Sequence, residues 1–336
     1  MMKAAGFGGS ALKFARRLRL RSLARRAPTG PAILMYHRVA DLSRDPWGLA
    51  VSPANFAAQV ALLRRDRTVL PLDDFVRRLR EGDLPEQAVA LTFDDGYRDN
   101  LVNAAPALGA AGLPATLFLA TGPMRRQRGY WWDVLERMVL DAPPMQGSVA
   151  VGPTHVALAL GPPEAFDGPR SDWRAWLAPR TAREALYVRL WSLIRVLPPG
   201  DVDRVMDDLA GLLPVRSDPA DGPMTEREVH ALIADHPFSV ASHTVNHPDL
   251  PAVSADLART QLEAGKAEVE AITGRPASGF AYPYGRFDAD VARLVGQAGF
   301  AYACTTKAGP IAGADMLALP RVAAQDRPTL EWLNGG

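Results

Sequence analysis

The chain has 336 residues, which is enough for one large α/β barrel or two modest domains, and its hydrophobic share of 48% is that of an ordinary globular protein. Its net charge of +1 provides no general attraction for nucleic acid, and its single cysteine, Cys304, excludes an intramolecular disulfide framework. No apolar stretch reaches the roughly 18 residues of a membrane-spanning helix or forms the core of a signal peptide, so we predict a cytoplasmic protein.

The first 30 residues form a basic leader. They contain eight Lys and Arg residues and no acidic residue, so the rest of the chain carries 30 basic against 37 acidic side chains. Residues 11–26 have an imperfect apolar side that includes Leu12, Phe14 and Leu18. Two interpretations stay open: a disordered leader, or a basic amphipathic helix that contacts an anionic membrane surface peripherally.

The folded part is predicted to begin with a strand over residues 32–39. His37 lies near its C-terminal end, where α/β barrels place catalytic groups. The alternative is a partly buried histidine with satisfied hydrogen bonds and no chemical role. An apolar stripe over residues 53–65 then predicts a helix, and a second helix is predicted from Leu72 to near Gly82.

Residues 88–97 contain an apolar run that ends in two adjacent carboxylates, Asp94 and Asp95, followed by Gly96. Such a run is typical of a buried parallel strand, whose C-terminal end carries the chemistry of many α/β folds. Two neighbouring carboxylates are both ionised at low cost only if a positive group lies between them, as a divalent metal ion would. The alternative is that Asp-Asp-Gly is only a surface turn.

The next segment alternates helix and strand. A helix is predicted from Asn103 to Ala111, closed by Gly112, and a strand over residues 116–120. Strand, helix and strand in this order indicate one βαβ unit of a parallel sheet or barrel.

Residues 123–222 interrupt this alternation. They contain five of the seven tryptophans and several Pro-Gly segments, and a helical pattern returns at residues 182–213. We interpret them as a mainly helical insertion between two barrel strands. Its aromatic side chains either stack on sugar rings from exposed positions or build the core of the insertion itself.

A pair of histidines follows the next predicted strand. A helix with Thr225 as its predicted N-cap leads to an apolar stretch around Val240, and then to His243 and His247. Histidines at positions i and i+4 can face one point, which suits metal ligands. Surface or capping histidines are the alternative. A clear helix is predicted over residues 255–272.

These two motifs carry a family resemblance. Residues 92–96, Thr-Phe-Asp-Asp-Gly, followed by residues 243–247, His-Thr-Val-Asn-His, resemble the polysaccharide deacetylases of the NodB-homology type, carbohydrate esterase family 4. The resemblance covers residues 31–325, with a poorly matched middle, and implies an α/β fold, a distorted (β/α)7-type barrel. It also implies a divalent ion, most simply Zn²⁺, with three ligands: Asp95, His243 and His247.

The resemblance further assigns the proton-transfer residues. It implies that Asp94 is the base. In members whose motif order is permuted, the histidine of a Tyr-His strand is the general acid, which makes His37 the candidate acid. The family's late Leu-x-His motif is absent here because no histidine follows His247, which strengthens this assignment.

The third motif of the family is only partly present. Residues 280–285, Phe-Ala-Tyr-Pro-Tyr-Gly, resemble it, and the backbone N–H of Tyr284 would then contribute an oxyanion hole. An ordinary turn is the alternative. The arginine usual in this motif is missing, and the fourth motif is not visible. Arg321, at the end of the last predicted strand, is the candidate replacement for the arginine.

The sequence therefore predicts a metal-dependent hydrolase that removes N- or O-acetyl groups from an acetylated polysaccharide, oligosaccharide or glycolipid. Its predicted organisation is a leader over residues 1–30, a barrel over 31–325 with the insertion 123–222, and a C-terminal tail over 326–336. Two alternatives stay open. One is a glycan-binding module with an inactive site. The other is a non-haem iron oxygenase, whose facial triad also uses two histidines and a carboxylate, although the βαβ pattern speaks against it.

Overall fold

The computed structural model describes residues 30–163, 171–213 and 222–334. The helix considered for residues 11–26 lies outside these described residues. Across the described ranges, no helix combines the length and the apolar character needed to cross a bilayer.

The chain divides into two compact units. Among the described residues, the sheet unit comprises residues 30–42, 49–129 and 222–334. Among the described residues, the tryptophan unit comprises residues 43–48 and a long segment over residues 130–163 and 171–213. The predicted insertion, residues 123–222, overlaps the long segment of the tryptophan unit, and its limits stay a prediction.

The strands are numbered here in chain order over the described residues. They are β1 Ala32–Tyr36, β2 Arg38–Val39, β3 Ala50–Val51, β4 Thr68–Val69, β5 Ala88–Asp95, β6 Ala115–Leu119, β7 Met145–Val151, β8 Thr154–Leu160, β9 Phe238–Ser242, β10 Gly279–Ala281, β11 Tyr302–Cys304 and β12 Val322–Ala323.

The α-helices of the same residues are α1 Pro53–Asp66, α2 Leu72–Glu81, α3 Ala105–Ala111, α4 Thr121–Arg126, α5 Trp131–Leu140, α6 Ala182–Ile194, α7 Pro199–Leu212, α8 Glu226–Asp235, α9 Ala255–Thr273, α10 Ala289–Gln297 and α11 Glu331–Asn334. A π-helix precedes α3, and two 3₁₀ turns occur near β9 and β10: Asn100–Ala104, Leu250–Ala252 and Pro283–Gly285.

The sheet unit is built on a parallel sheet of eight strands. Seven follow in the order β11-β10-β9-β6-β5-β1-β12, and β4 pairs with β5. Val322 of β12 lies opposite Leu34 of β1, while Leu319 bridges to Cys304 of β11. The segment that ends in β12 thus joins both ends of the curled sheet. This confirms the predicted α/β fold, a distorted NodB-like barrel.

The two faces of the sheet bury different residues, because successive strand side chains point in opposite directions. Leu34, Leu91 and Leu117 pack into one cluster with helices α1, α3 and α8. Ile33 and Phe118 belong to a second cluster that includes α2. The strands therefore read as continuous apolar runs, as the sequence predicts for a sheet covered on both faces.

Helix ends follow the local signals in the sequence. Thr225 caps α8 with a full capping box, in which Glu228 bonds back to the Thr225 N–H group. Gly82 and Gly274 end α2 and α9 in the left-handed conformation. The helix predicted from Asn103 begins earlier, at Asn100, as a single π-helical turn.

The tryptophan unit contains the antiparallel hairpin β7–β8 and the helices α5, α6 and α7. The hairpin was not predicted. Trp132, Trp173 and Trp191 are each at most 5% exposed, and Trp47 packs on Trp191 with ring centroids 4.0 Å apart. Stacking on a sugar ring needs an exposed aromatic face, and Trp132, Trp173 and Trp191 are buried. For these three side chains the structure therefore supports the interpretation that they form the core of the unit.

Candidate active site

The two carboxylates end β5, and the backbone turn between them brings both to one place. Asp94 continues the alternation that points Ala90 and Thr92 to one face of the sheet. Asp95 would point to the opposite face, but its φ of +74° takes the backbone out of the extended conformation. Gly96, with φ +98°, completes the turn. Both carboxylates are 2% exposed.

The histidine pair lies in a loop that follows β9. Thr244 and His247 have φ values of +68° and +54°, and the Thr244 hydroxyl accepts a hydrogen bond from the His247 N–H group at 2.9 Å. Left-handed backbone at residues other than glycine costs free energy, and it concentrates at functional sites. The compact loop turns both imidazoles toward Asp95.

Asp95, His243 and His247 form the candidate metal site. The Asp95 Oδ1 atom lies 3.5 Å from Nε2 of His243 and 3.4 Å from Nε2 of His247. Two ligands bound at about 2.05 Å in a tetrahedral site lie about 3.3 Å apart, so these spacings suit a shared ion. One carboxylate oxygen and two imidazole nitrogens are also a donor set that zinc accepts. These three residues therefore fit a divalent metal ion.

The tautomer of His243 and the protonation state of His247 also suit metal binding. The His243 Nδ1 atom lies 2.7 Å from the Ala281 carbonyl oxygen, so Nδ1 carries the proton and Nε2 presents its lone pair to Asp95. Burial lowers the pKa of His247 to about 3, despite the opposing charge of Asp95, and keeps that imidazole neutral.

Arg321 forms a bidentate ion pair with Asp94. Its Nη1 and Nη2 atoms each donate to one carboxylate oxygen of Asp94 at 2.6 Å, and its Nε donates to the Thr305 carbonyl at 2.9 Å. Both side chains are almost fully buried. Burial acts to raise the pKa of Asp94, but the charge and hydrogen bonds of Arg321 outweigh it and lower that pKa to about 2. Asp94 is therefore an ionised acceptor.

His37 and Tyr284 lie at the edges of this cluster. The His37 Nε2 atom is 3.8 Å from Asp94 Oδ2, and the side chain is 17% exposed. The Tyr284 ring packs edge-on against His247, with centroids 4.4 Å apart, and its backbone has φ +57°. The structure thus places all seven residues singled out in the sequence within one region of the sheet unit.

Two further groups, which the sequence analysis did not identify, contribute to the site. The Thr92 hydroxyl accepts from Arg321 Nη1 at 3.1 Å and donates to the Leu34 carbonyl. The Ala281 carbonyl fixes the His243 tautomer. Thr92 had a usable signal, because it lies two positions before Asp94 on the same strand and so on the same face. A backbone carbonyl leaves no trace in the sequence.

Comparisons with known proteins agree with this geometry. The family model for polysaccharide deacetylase matches residues 81–142 and 222–303, which contain both carboxylates and both histidines. YxkH of Bacillus subtilis, a curated protein named as a polysaccharide deacetylase, is 32% identical over 94 residues, or 27% of this chain. The match spans 32% of YxkH, about a third of its length.

Solved structures share the fold over most of the chain. The deacetylase PplD of Streptococcus pyogenes aligns with a TM-score of 0.59 and 18% identity, over 92% of this chain and 99% of PplD. IcaB of Ammonifex degensii aligns with a TM-score of 0.54 and 18% identity, over 91% and 97% of the two chains. BC0361, a polysaccharide deacetylase of Bacillus cereus, gives 0.51 and 22%, over 88% and 64%. At these identities the likeness demonstrates a common fold.

Proposed function

Because residues 81–142 and 222–303 match the family model for polysaccharide deacetylase, we propose that the protein is a hydrolase that removes acetyl groups from a carbohydrate. The observation that carries the proposal is the approach of Asp95 to both His243 and His247, at 3.5 and 3.4 Å. The neighbouring ionised Asp94 adds a proton acceptor. Neither the fold nor the family match alone would identify a site able to do this chemistry.

The proposal includes a divalent metal ion held by Asp95, His243 and His247, most simply zinc. When bound, such an ion polarises the acetyl carbonyl and lowers the pKa of a water molecule. The three side chains would hold the ion, and the Ala281 carbonyl keeps His243 in the tautomer that leaves its Nε2 atom free to bind the ion. The buried position of all three excludes bulk water from the ligands.

The remaining residues move protons and stabilise charge. Asp94 accepts the proton of the attacking water, and the backbone N–H of Tyr284 donates to the oxyanion. His37, when protonated, donates a proton to the departing nitrogen or oxygen as the bond to the acetyl carbon breaks. Acetate and a free amine or hydroxyl are the products. Arg321 keeps Asp94 ionised and oriented.

The proposed substrate is an N- or O-acetylated polysaccharide, oligosaccharide or glycolipid. Two observations on relatives support the class: YxkH is named as a polysaccharide deacetylase, and the structure of PplD holds acetate, the acid that deacetylation releases. Peripheral membrane contact through residues 11–26 would bring a glycolipid within reach, and it stays a prediction from the sequence.

Acetate release from a panel of acetylated saccharides tests the proposal. The purified full-length protein is assayed as isolated, after dialysis against a chelator, and after return of Zn²⁺. We expect acetate from at least one saccharide, loss of the activity with chelator, and its return with zinc. Absence of acetate from every saccharide with zinc present contradicts the hydrolase, whereas activity that survives chelation contradicts the metal site.

A further inference from the structure

His37 lies between two strand pairings, and a side chain binds its backbone carbonyl. The register of β1 with β5 stops at Tyr36 opposite Phe93, and that of β2 with β3 resumes at Arg38 opposite Ala50. His37 therefore occupies the step at which the chain leaves the main sheet for a separate two-stranded pair. His37 itself has no strand partner in either pairing.

The segment that follows the Asp94–Asp95 turn supplies the missing contacts. Asn100 Nδ2 donates to the His37 carbonyl at 2.8 Å. Asp99 Oδ1 accepts from the Val39 N–H group at 2.9 Å, and Asp99 Oδ2 accepts from Arg38 Nε at 2.9 Å. Three consecutive residues, 37–39, are thus bound by two consecutive side chains.

These contacts are buried and their directions are determined. Asn100 is fully buried, and Asp99 and Arg38 are 5% and 3% exposed. Asn100 Nδ2 lies within hydrogen-bonding distance of two acceptors, the His37 carbonyl and Asp99 Oδ1, so the amide cannot be flipped without losing both. Buried hydrogen bonds to an ionised carboxylate are short and strong, so they restrict motion.

We propose that Asp99 and Asn100 are positioning residues that hold His37 beside Asp94. Asp99 follows Asp95 by four positions, so one rigid segment ends the catalytic strand, carries both carboxylates and binds the backbone of the candidate acid. The π-helical turn that starts at Asn100 aims its side chain at His37, and such turns are frequent at functional sites. This inference rests on the proposed function, because it assigns a role through the proposed acid.

Two acetyl donors with different leaving groups test the inference. An N-acetylglucosamine oligosaccharide expels an amine that needs a proton, whereas 4-nitrophenyl acetate expels a stable phenolate that needs none. We expect Asn100→Ala to lower kcat on the oligosaccharide about 10- to 100-fold, a part of what a general acid contributes, with KM little changed. Activity on 4-nitrophenyl acetate and bound zinc per chain should stay within about twofold of the unaltered protein.

A double-mutant cycle identifies the residue through which Asn100 acts. In a His37→Ala background, Asn100→Ala should cause no further loss on the oligosaccharide, because the acid it positions is gone. An equal loss in both backgrounds overturns the inference, as does an unchanged kcat in the single variant. Equal losses on both acetyl donors also overturn it, since they indicate general damage.

Two more variants keep the test decisive. Asn103→Ala is the matched control, because Asn103 Nδ2 makes the same kind of bond from the same helix to the Val39 carbonyl, at 2.7 Å, and leaves the His37 carbonyl untouched. It should retain kcat. If Asn100→Ala does not fold, Asn100→Leu keeps the volume and removes the donor. Failure of the unaltered protein on both donors with zinc refutes the proposed function, a result distinct from those above.

Discussion

Asp94 and Asp95 are neighbours in sequence with opposite surroundings. Asp94 accepts hydrogen bonds from both terminal nitrogens of the Arg321 guanidinium, and Asp95 faces the Nε2 atoms of two imidazoles. An ionised carboxylate that is already oriented by a cation suits proton transfer, while a carboxylate beside two lone pairs suits metal binding. The different partners therefore suit these two identical side chains to the different roles proposed for them.

Substitutions at the two aspartates should therefore have different consequences. We expect Asp95→Ala to lose both bound metal and activity, because one of three ligands is removed. Asp94→Asn should keep the metal and lower kcat by about 10²- to 10⁴-fold, because the proton acceptor is lost. Metal analysis of both purified variants, alongside acetate release, measures the difference. Near-normal turnover in Asp94→Asn would exclude it as the base.

Arg321 should not be replaceable by lysine. Its planar guanidinium group donates one hydrogen bond to each carboxylate oxygen of Asp94, whereas the ammonium group of lysine acts as a point charge and cannot form this bidentate pair. We expect Arg321→Lys to lower kcat at least about tenfold with metal content unchanged. Arg293→Lys, at an exposed pair with Asp290, is the control and should leave kcat unaltered. Equal kcat values in the two variants would remove Arg321 from the proposed mechanism.

At the scale of elements, helix α9 supports the histidine loop through a close backbone approach. A Cβ atom added at Gly265 would lie 2.8 and 2.9 Å from the carbonyl carbon and Cα of Thr244. Thr244 already has a left-handed backbone that places His243 and His247. The absent side chain at Gly265 thus sets how closely the helix can approach the histidine loop.

Gly265→Ala should disturb the site from this helix. Overpacking costs about 1–3 kcal/mol, and here the displaced group is the loop that carries two proposed ligands. We expect weaker zinc binding by about tenfold or more, measured by titration. Gly211→Ala, in α7 with open space around it, is the matched control and should raise stability by about 0.5 kcal/mol without changing zinc affinity. Unchanged zinc affinity in Gly265→Ala would refute the role of the close approach.

Helix α5 contributes a pH dependence of stability. Burial, followed by the charge of Asp133, raises the pKa of Glu136 to about 8, although Arg44 acts in the opposite direction. In the unfolded chain this carboxyl titrates near its usual value of about 4.5, so the folded state binds more protons between the two values. The stability that Glu136 contributes is present below pH 4.5 and is lost as the pH rises through about 8.

Glu136→Gln should remove this contribution, because glutamine stays neutral. Between pH 5 and pH 9 we expect the thermal midpoint of the unaltered protein to fall further than that of the variant. Melting curves at several pH values, recorded in the same buffers, measure the difference. Parallel curves for the two proteins would show that Glu136 titrates normally in the folded state.

At the scale of the whole molecule, the candidate site belongs to one of the two units. All seven residues predicted from the sequence lie in the sheet unit: His37, Asp94, Asp95, His243, His247, Tyr284 and Arg321. They come from separate stretches of chain that follow or end the strands β1, β5, β9 and β10 of one sheet, together with the joining segment before β12. A metal ion bound there would connect β5 to the loop after β9.

Metal binding should therefore stabilise the folded protein. A ligand that binds only the folded state raises its stability by about 2.7 kcal/mol at 100 times its Kd. We expect the thermal midpoint of chelated protein to rise when Zn²⁺ is added, and that of Asp95→Ala to stay unchanged. Differential scanning calorimetry measures both. An equal rise in both proteins would indicate zinc binding elsewhere.

Much of the fold and of the site follows from local features of the sequence. Apolar runs that end at Asp94–Asp95 and before His243 predicted strands with chemistry at their ends, and the βαβ pattern predicted the parallel sheet. The helix ends at Thr225 and Gly274 could be predicted because a helix cap depends only on residues a few positions away in the sequence. The hairpin of the tryptophan unit was not predicted, and the sequence left open whether the aromatics form a core or stack on sugars, because burial depends on which surfaces meet.

By itself the sequence determined which residues are candidate metal ligands and how they are spaced along the chain, since a strand end and a short loop are local structures. Only the tertiary structure decided the partner of Asp94, because Arg321 is 227 positions away and reaches it only when the sheet curls and the segment before β12 closes it. The same holds for Asn100 and His37, 63 positions apart. Hydrogen bonds between distant segments depend on the path of the backbone, which no single stretch of sequence encodes.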